Sequence, residues 1–464
     1  MPNLIIENFN LGGISDSKFQ GPANSVASLV GFDLHSEPGI LKVAQALKKD
    51  SGSTIDEFVK AIVPSSDGNT YFFSSESGKI WKRTGAGVYS LEATATPAAG
   101  AANILDAEEH NGFIYYSMES RLGRWTVTTG IGSRDDDFAT FAITNANFHP
   151  MREKNEILYI GDGNQLAQVD TSDVFAANAL DIRKQFVITS LGESSEDLLI
   201  GTKIADTVNG AMVFRWDTFS VSFRNSDPVP EVAINSFLNF DNFTVAQAGV
   251  KGNLYVYDGL QLDRFKRIQG DWTDTNQAIV HLNASENFNG IPIFGLSNLS
   301  GNPSKQGVYD LGAYASNYPN VLSLPYVISQ NKTASIEIGA IEMIGDSFLA
   351  SWKDGSNFGV DIIDWDNKFS GAFFETRILN FNRDEIKKFM ARIPYRSLPT
   401  GTDITLQKSV NYDVFETVTL ETDTINSLKK AGIEIPDSNV LQLKISTTAS
   451  VNNAPEIESL SLNF

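Results

Sequence analysis

The chain has 464 residues, no cysteine, four histidines and a formal net charge of −20. Without cysteine there is neither a disulfide framework nor a thiolate metal site, and His35, His110, His149 and His281 lack ligand spacing, so no metal centre is expected. No apolar run nears the roughly 20 residues that span a bilayer, and Met1-Pro2-Asn3-Leu4-Ile5-Ile6-Glu7 carries no export signal, so a chain without a membrane span is expected.

The charge is uneven. Residues 1–54 hold 4 basic and 5 acidic side chains and residues 373–464 hold 10 and 12, which leaves 22 and 39 between them. Phosphate binding needs clusters of Lys and Arg that displace counterions, so an acidic middle is expected to repel nucleic acid.

In chain order, residues 1–54 read as an extended N-terminal arm. Gly12-Gly13, Gly21-Pro22, Pro38-Gly39 and Ser51-Gly52-Ser53 interrupt any long element, and only Ser25 to Leu34 has a compact apolar pattern. Such a segment has no core of its own. It must lie on the rest of the chain or on a neighbouring subunit.

Residues 55–372 repeat a pattern of four short apolar or aromatic runs per roughly 40 residues, separated by turns, which is the signature of a β-propeller blade. The clearest copies are consecutive. One runs from Phe186 through Asp197-Leu198-Leu199-Ile200-Gly201 and Ala211 to Asp217, ending at Phe223; the next covers Ile234 to Phe240, Phe243 to Ala246, Leu254 to Gly259 and Gln261 to Ile268. Earlier copies begin at Phe58, with a hairpin turn at Asp67-Gly68, at Ile104 and at Phe141; later ones involve Ile291 to Leu296 with Gly307 to Leu311, and Ile336 to Met343 with Ser347 to Trp352 and Gly359 to Trp365. The count is six or seven blades, with seven favoured. Blades are apolar on both faces and need neighbours, so the aromatic residues are expected as interblade packing, with Trp81, Trp125, Trp216 and Trp365 in equivalent roles. Helical patterns are scarce, the best being Arg383 to Met390 and Thr424 to Ala431.

From residue 373 the runs alternate apolar and polar positions, as in Asp403 to Val410 and Leu441 to Ser446. This predicts antiparallel sheets with one buried face, a C-terminal β-sandwich over 373–464.

Candidates for chemistry are weak. Asp361-x-x-Asp364-x-Asp366 has the residue types of a glycosidase pair, but beside Trp365 it reads better as a solvated turn. Asp135-Asp136-Asp137 lacks the glycine and distal glutamate of a calcium loop. Ser65-x-Asp67-Gly68-Asn69-Thr70 resembles the Asp-box turn of sialidases with its glycine displaced and no matching copies, and Gly161-Asp162-Gly163-Asn164 is a hairpin turn. Neither a phosphate-binding loop nor a nucleophile elbow is present. No catalytic, cofactor-binding or metal residues are assigned, and no cofactor is expected.

The stretches Asn10-Leu11-Gly12-Gly13-Ile14-Ser15-Asp16-Ser17, Gly21-Pro22-Ala23-Asn24-Ser25 and Gly31 to Val43 resemble the start of tailed-bacteriophage virion proteins of the propeller type. Leu199-Ile200-Gly201-Thr202, Trp216-Asp217, Gly252 to Gly259 and the ending Leu441 to Ile445 with Asn453 to Ile457 are similar to the same group. The resemblance spans arm, ring and C-terminal sheets, through degenerate motifs of which none is catalytic. It implies a non-enzymatic tail or neck component, nozzle-like, made in the host cytoplasm and built into the virion. It further implies a homo-oligomeric ring beside other tail and portal-proximal proteins, with DNA passing through without specific binding. An arm that reaches the next protomer makes Gly12, Gly13, Phe19, Pro22, Phe32 and Pro38 the expected oligomer contacts. Two alternatives stand beside it: a receptor- or carbohydrate-binding propeller at the tail tip, and a propeller glycoside hydrolase with carboxylates in the central funnel.

Overall fold

The structure is a computed structural model that describes residues 4–239, 243–259, 261–270, 277–298, 306–329, 336–381, 387–435 and 440–463. Nearly every regular element described is a β-strand; the helical exceptions among the described residues are the turn-length helix Phe9–Gly12 and the 3₁₀ turn Ile131–Ser133. The chain divides into two compact units. A propeller unit takes Lys49–Gln306 and Gln330–Ile362, and a composite unit is assembled from Met1–Lys48, Gly307–Ser329 and Ile363–Phe464.

The propeller unit is built from antiparallel four-stranded blades. Blade 1 is Val59–Pro64, Thr70–Ser74, Lys79–Gly85 and Val88–Thr94; blade 2 is Asp106–His110, Phe113–Ser117, Arg121–Thr126 and Asp135–Thr140; blade 3 is Met151–Lys154, Ile157–Asp162, Gln165–Val169 and Phe175–Asp181. Blade 4 is Val187–Glu193, Leu198–Lys203, Ala211–Trp216 and Asn225–Val229, and blade 5 is Ile234–Asn239, Thr244–Ala248, Asn253–Tyr257 and Leu262–Arg267. The hairpin Ser285–Phe288/Ile291–Asn298 follows, and blade 6 then begins with Ile336–Ile344 and Ser347–Asp354 and continues into the strand that starts at Asn357. Among the described residues six blades form separate four-stranded sheets, so the count is six and not the favoured seven; the hairpin stands in sequence between blades 5 and 6.

Burial explains why the sequence repeat was visible. Second strands such as Thr70–Ser74 and Thr244–Ala248 are buried at every position, whereas an outermost strand such as Val88–Thr94 is largely exposed. Covered on both faces, a second strand must be apolar or aromatic nearly throughout. Three of the inner hairpins turn in two residues, both at positive φ: Asn111-Gly112, Asn155-Glu156 and Asn289-Gly290. That geometry matches the right-handed twist of the flanking strands.

Neighbouring blades share apolar layers. Between blades 1 and 2, Tyr71, Phe73, Tyr116 and Trp125 pack together, Tyr71 edge-on to Trp125 at 5.3 Å and Phe73 stacked on it at 5.9 Å. Between blades 3 and 4, Tyr159 meets Trp216 edge-on at 5.3 Å. Trp81, Trp125 and Trp216 therefore do the expected packing. Trp365 does not: it is 45% exposed, and Trp352 is the buried tryptophan of blade 6. A tryptophan late in the long strand Asn357–Lys368 lies beyond the stretch that blade 6 covers, as the rising exposure of that strand shows.

Polar side chains on second strands add a second kind of staple. Ser117 Oγ donates to His149 O at 2.9 Å, Gln247 Nε2 to Ala278 O at 3.2 Å, and Ser351 Oγ to Val59 O at 2.8 Å, while Ile338 N donates to Ser297 Oγ at 2.9 Å. Each ties a second strand to backbone at or just before the next inner strand. The ring is closed by residues 49–51, part of the stretch expected in the arm: Asp50 N donates to Val360 O at 2.8 Å and Val360 N to Ser51 Oγ at 3.1 Å. The Asp50 carboxylate accepts from Arg83 Nε, Tyr89 OH and Gly87 N at 2.8–3.0 Å, so one residue binds blade 6 to blade 1.

Of the two placements expected for residues 1–54, on the rest of the chain or on a neighbouring subunit, the composite unit shows strand pairing within the chain. Leu4–Ile6 pairs with Leu460–Asn463, and Leu41–Val43 lies between Phe32–Asp33 and Glu456–Ile457 in the same eight-stranded sheet. Ser28–Val30 pairs antiparallel with Phe373–Glu375 and parallel with Val321–Tyr326. The alternating runs of the C-terminal stretch form antiparallel strands with one buried face, as in Leu428–Ile435 and Val440–Thr448. The helical expectation for Arg383 to Met390 and Thr424 to Ala431 fails wherever residues are described, residues 383–386 lying outside them. Lys387–Ser397 and Leu428–Ile435 are long strands paired from Lys387↔Ile435 to Pro394↔Leu428, and this pairing overrides weak local helical periodicity.

Gly339 marks the tightest point of the ring seam, since a Cβ there would run into the Val59 carbonyl oxygen. Gly339→Ala is expected to destabilise the propeller unit by about 1–3 kcal/mol, because fixed backbone cannot give way. Gly85→Ala, whose Cβ would meet nothing within 4 Å, is the control and should stay within about 0.5 kcal/mol; thermal and urea melts of the two variants check this.

Candidate functional site

The inner strands of the propeller unit surround a cavity of about 500 Å³. Its charged lining comes one or two residues at a time from different blades: Glu108 and Glu109 from blade 2, Arg152 from blade 3, Glu193 from blade 4, Glu286 from the hairpin and Glu342 from blade 6. Inner strands leave side chains of one face pointing at the axis, so any acid placed there in successive repeats converges.

At the narrow end, Asp106 and Asn283 form a junction. Asp106 is 2% exposed and accepts from Met151 N at 2.6 Å, Ala107 N at 2.8 Å and Asn283 Nδ2 at 2.8 Å. Asn283 also donates to Lys60 O at 3.0 Å, and its carbonyl accepts from Ile341 N at 2.8 Å, so one asparagine ties blades 1, 2 and 6 near the axis. Beyond it a second cavity of about 100 Å³ is lined by Lys60, His149, Asn235 and His281, with Leu282 bordering both. The His281 imidazole lies 3.3 Å from the Glu337 carboxylate. One end of the axis is thus acidic and the other carries Lys60 and two imidazoles.

The acids crowd one another. Burial pushes the Glu342 carboxyl up to about 8, with the Glu286 charge adding to it; burial pushes Glu108 up to about 7 and Asp106 up to about 6 despite their hydrogen bonds. Glu286 is raised as well, again by burial. Arg152 is the counter-charge: it pairs with Glu193, and its guanidinium opposes the shifts of Glu108 and Glu286. Chemically, the cavity offers protonated and ionised carboxyls side by side at neutral pH, a set suited to holding a cationic or multiply hydroxylated group.

The sequence candidates lie elsewhere. Asp361 is buried and accepts from Trp352 Nε1 at 2.7 Å, whereas Asp364 caps a turn through Asn367 Nδ2 at 2.8 Å and pairs with Lys48 at 3.2 Å. Asp136 is bound by Arg134 at 2.6 Å and Thr96 N at 2.8 Å, and Asp137 by Arg121 at 2.9 Å. Asp67 closes its own turn by accepting from Asn69 N and Tyr71 OH, both at 2.9 Å, and Asp162 is buried, accepting from Ala142 N at 2.7 Å and Ile143 N at 2.9 Å. No group of three or more potential metal ligands occurs among the described residues. The funnel acids were missed, although one signal existed: Glu108, Glu286 and Glu342 each stand in the first strand of a repeat unit.

Of the expected oligomer contacts, Gly12, Gly13 and Phe32 are interior to the composite unit, where Phe32 packs edge-on to Phe374 at 6.3 Å. A Cβ on Gly12 would collide with the backbone at Asn24, and one on Gly13 with Leu322 and Val321. Their role is close packing inside the protomer, not a surface for a neighbour. Phe19 and Pro22 are exposed and Pro38 is partly so.

The elevated carboxyls set a pH dependence. An acid whose folded pKa lies above its unfolded value holds its proton better in the native state, so stability falls as pH rises from about 4.5 through the folded value. For Glu342 that window ends near 8. Glu342→Gln should therefore raise the thermal midpoint at pH 8 by a few degrees and leave it nearly unchanged at pH 4.5, as differential scanning calorimetry at the two pH values would show.

No protein-family model matches the chain, and no curated protein matches its sequence. Solved structures with a similar fold include a streptogramin B lyase, 12% identical over 69% of this chain and 97% of that one, with a TM-score of 0.49. A catalytically inactive virginiamycin B lyase from Staphylococcus aureus, solved with quinupristin, is 13% identical over 68% of this chain and 99% of that one, with a TM-score of 0.49. The extracellular domain of a hybrid two-component system from B. thetaiotaomicron is 11% identical over 90% of this chain and 57% of that one, with a TM-score of 0.48. At such identities and TM-scores the likeness goes no further than fold, and the β-propeller assignment rests on the four-stranded blades of the chain itself.

Proposed function

We propose that the chain is a non-enzymatic structural subunit of a tailed-phage virion, placed in the tail or neck as part of a homo-oligomeric ring through which DNA passes without being bound. The observation that carries this reading is a loop on blade 4 that holds two apolar side chains out in solvent. Phe219 is 83% exposed and Val221 fully exposed, yet the loop is locked: Trp216 Nε1 donates to Ser220 O at 2.7 Å, and Asp217 Oδ1 accepts from Phe219 N at 3.0 Å and Ser220 N at 2.8 Å. Thr218, a β-branched residue, sits at φ +66°, and Asn155 Nδ2 donates to its hydroxyl at 2.9 Å. Rigid, pre-ordered apolar side chains are the kind that anchor protein interfaces, because little entropy is lost when they are covered. The resemblance-bearing residues support the same reading, since they serve architecture. Asn10 Nδ2 donates to Leu34 O and Asn10 Oδ1 accepts from Gly39 N at 3.0 Å, while Ser25 Oγ donates to Pro22 O at 2.7 Å.

A second reading, a propeller glycoside hydrolase, is favoured by one observation, the carboxyls gathered in the 500 Å³ cavity. Glycan turnover that is abolished in Glu342→Gln while the fold persists would establish it against the structural reading.

The structural reading predicts assembly of the purified chain into a ring, seen by mass photometry and negative-stain imaging. The double variant Phe219→Ser with Val221→Ser should keep its thermal midpoint, since both sites are exposed, and weaken assembly at least tenfold. A wild-type chain that stays monomeric at all concentrations and with its virion neighbours would overturn the proposal. Retention of duplex DNA at about 0.15 M salt would overturn the non-adhesive conduit.

A further inference from the structure

We propose that His35 and Asp310 form a pH-sensitive clamp inside the composite unit, holding the N-terminal segment to the strand Gly307–Gly312 when the imidazole is doubly protonated and loosening it when that proton leaves. The inference does not depend on the virion reading. His35 Nε2 lies 3.2 Å from Asp310 Oδ2, and both side chains are 6% exposed. The carboxylate is fixed from its other side, since Asp310 Oδ1 accepts from Ser323 Oγ at 2.5 Å and Ser323 N at 3.1 Å. The backbone that carries the imidazole is fixed as well. His35 N and Ser36 N donate to Asp33 Oδ1 at 2.8 and 3.1 Å, and the preceding Leu34 is fully buried with its carbonyl accepting from Asn10. Both side chains of the pair are thus held out of water on anchored backbone.

The charges around the ring define the sign. His35's own turn supplies Asp33, the strand Gly307–Gly312 supplies Asp310, and Val321–Tyr326 supplies Tyr326, whose phenol burial and both aspartates hold neutral. Lys368, itself lowered by burial, has its charge directed at Asp33 and is opposed by Lys42. Burial pulls the His35 pKa down most, but the attraction of Asp310 at 3.2 Å together with the charge of Asp33 outweighs it, and the pKa lies above 6.5. A basic group with a raised folded pKa contributes stability that is fully present below its unfolded value and is lost as pH rises through the folded one. Both ring nitrogens are buried without a hydrogen-bond partner, so the contact with Asp310 is an ion pair at 3.2 Å whose attraction exists only while the ring is charged. The clamp is therefore closed in mild acid and weakened above neutrality.

Only four histidines are present, so the imidazole resonances of the full chain can be assigned by NMR with single His→Gln variants. His35 is expected to titrate above 6.5, and its midpoint should fall below 6.5 in Asp310→Asn. Hydrogen exchange over residues 28–43, corrected for intrinsic rate and compared between pH 5.5 and 8.5, should lose about tenfold in protection for each unit by which the His35 midpoint exceeds 6.5. His35→Gln should flatten that dependence. A wild-type His35 midpoint at or below 6.5, which needs no variant to fold, would sink the clamp, as would an equally steep loss of protection in His35→Gln.

Discussion

A propeller is only as stable as its seam, and here an apolar layer across the seam is fastened by hydrogen bonds to backbone groups on both sides. Val59 O accepts from Ser351 Oγ at 2.8 Å and leaves no room for a side chain at position 339, while Asp50 N donates to Val360 O at 2.8 Å. Every apolar layer between blades is buried only if this junction holds, because opening it exposes two blade faces at once. The Asp50 carboxylate bears on the junction from the other side through Arg83, Tyr89 and Gly87. Residues 49–51, with little apolar content of their own, thus have an influence on the fold that their composition does not suggest.

The seam also sets what the axis can do. With the ring closed, inner strands converge on Asp106 and Asn283, whose hydrogen bonds tie blades 1, 2, 3 and 6 at one level. A junction bonded at this many points is a wall between the acidic cavity and the one lined by Lys60, His149 and His281, so the propeller axis is not the path of a duplex.

The blade repeat was legible because burial on both faces forces apolar second strands, and no other arrangement requires that pattern every 40 residues or so. What sequence could not show is which polar residues matter. Ser117, Gln247, Ser297 and Ser351 look like ordinary interruptions of apolar runs, and their common task, binding backbone at the start of the next unit, exists only once blades stand side by side. Trp352 stands on a second strand that is buried almost throughout, and Trp365 stands near the exposed end of the strand after it, a difference that no local pattern records. The funnel acids come from strands separated by about 50 residues or more, so their mutual crowding is a property of closure alone. The helical look of residues 383–390 misled for a related reason: partners on Leu428–Ile435 decided the conformation.

The composite unit adds a constraint of a different kind. Its first strand, Leu4–Ile6, pairs with its last, Leu460–Asn463, and Ser28–Val30 sits between partners drawn from residues 321–326 and 373–375. Contacts of such sequence separation require loop closure before they return any stabilisation, so they form late. During synthesis the blades of the propeller unit are complete, hairpin by hairpin, long before the C-terminal strand exists. The strand Leu4–Ile6 has no partner until residues 460–463 exist. The internal fastenings of the N-terminal segment, Asn10 to Leu34 and Gly39, Ser25 to Pro22, and Val26 N to Gly13 O at 3.0 Å, need none of those residues, so the segment's shape does not depend on that pairing.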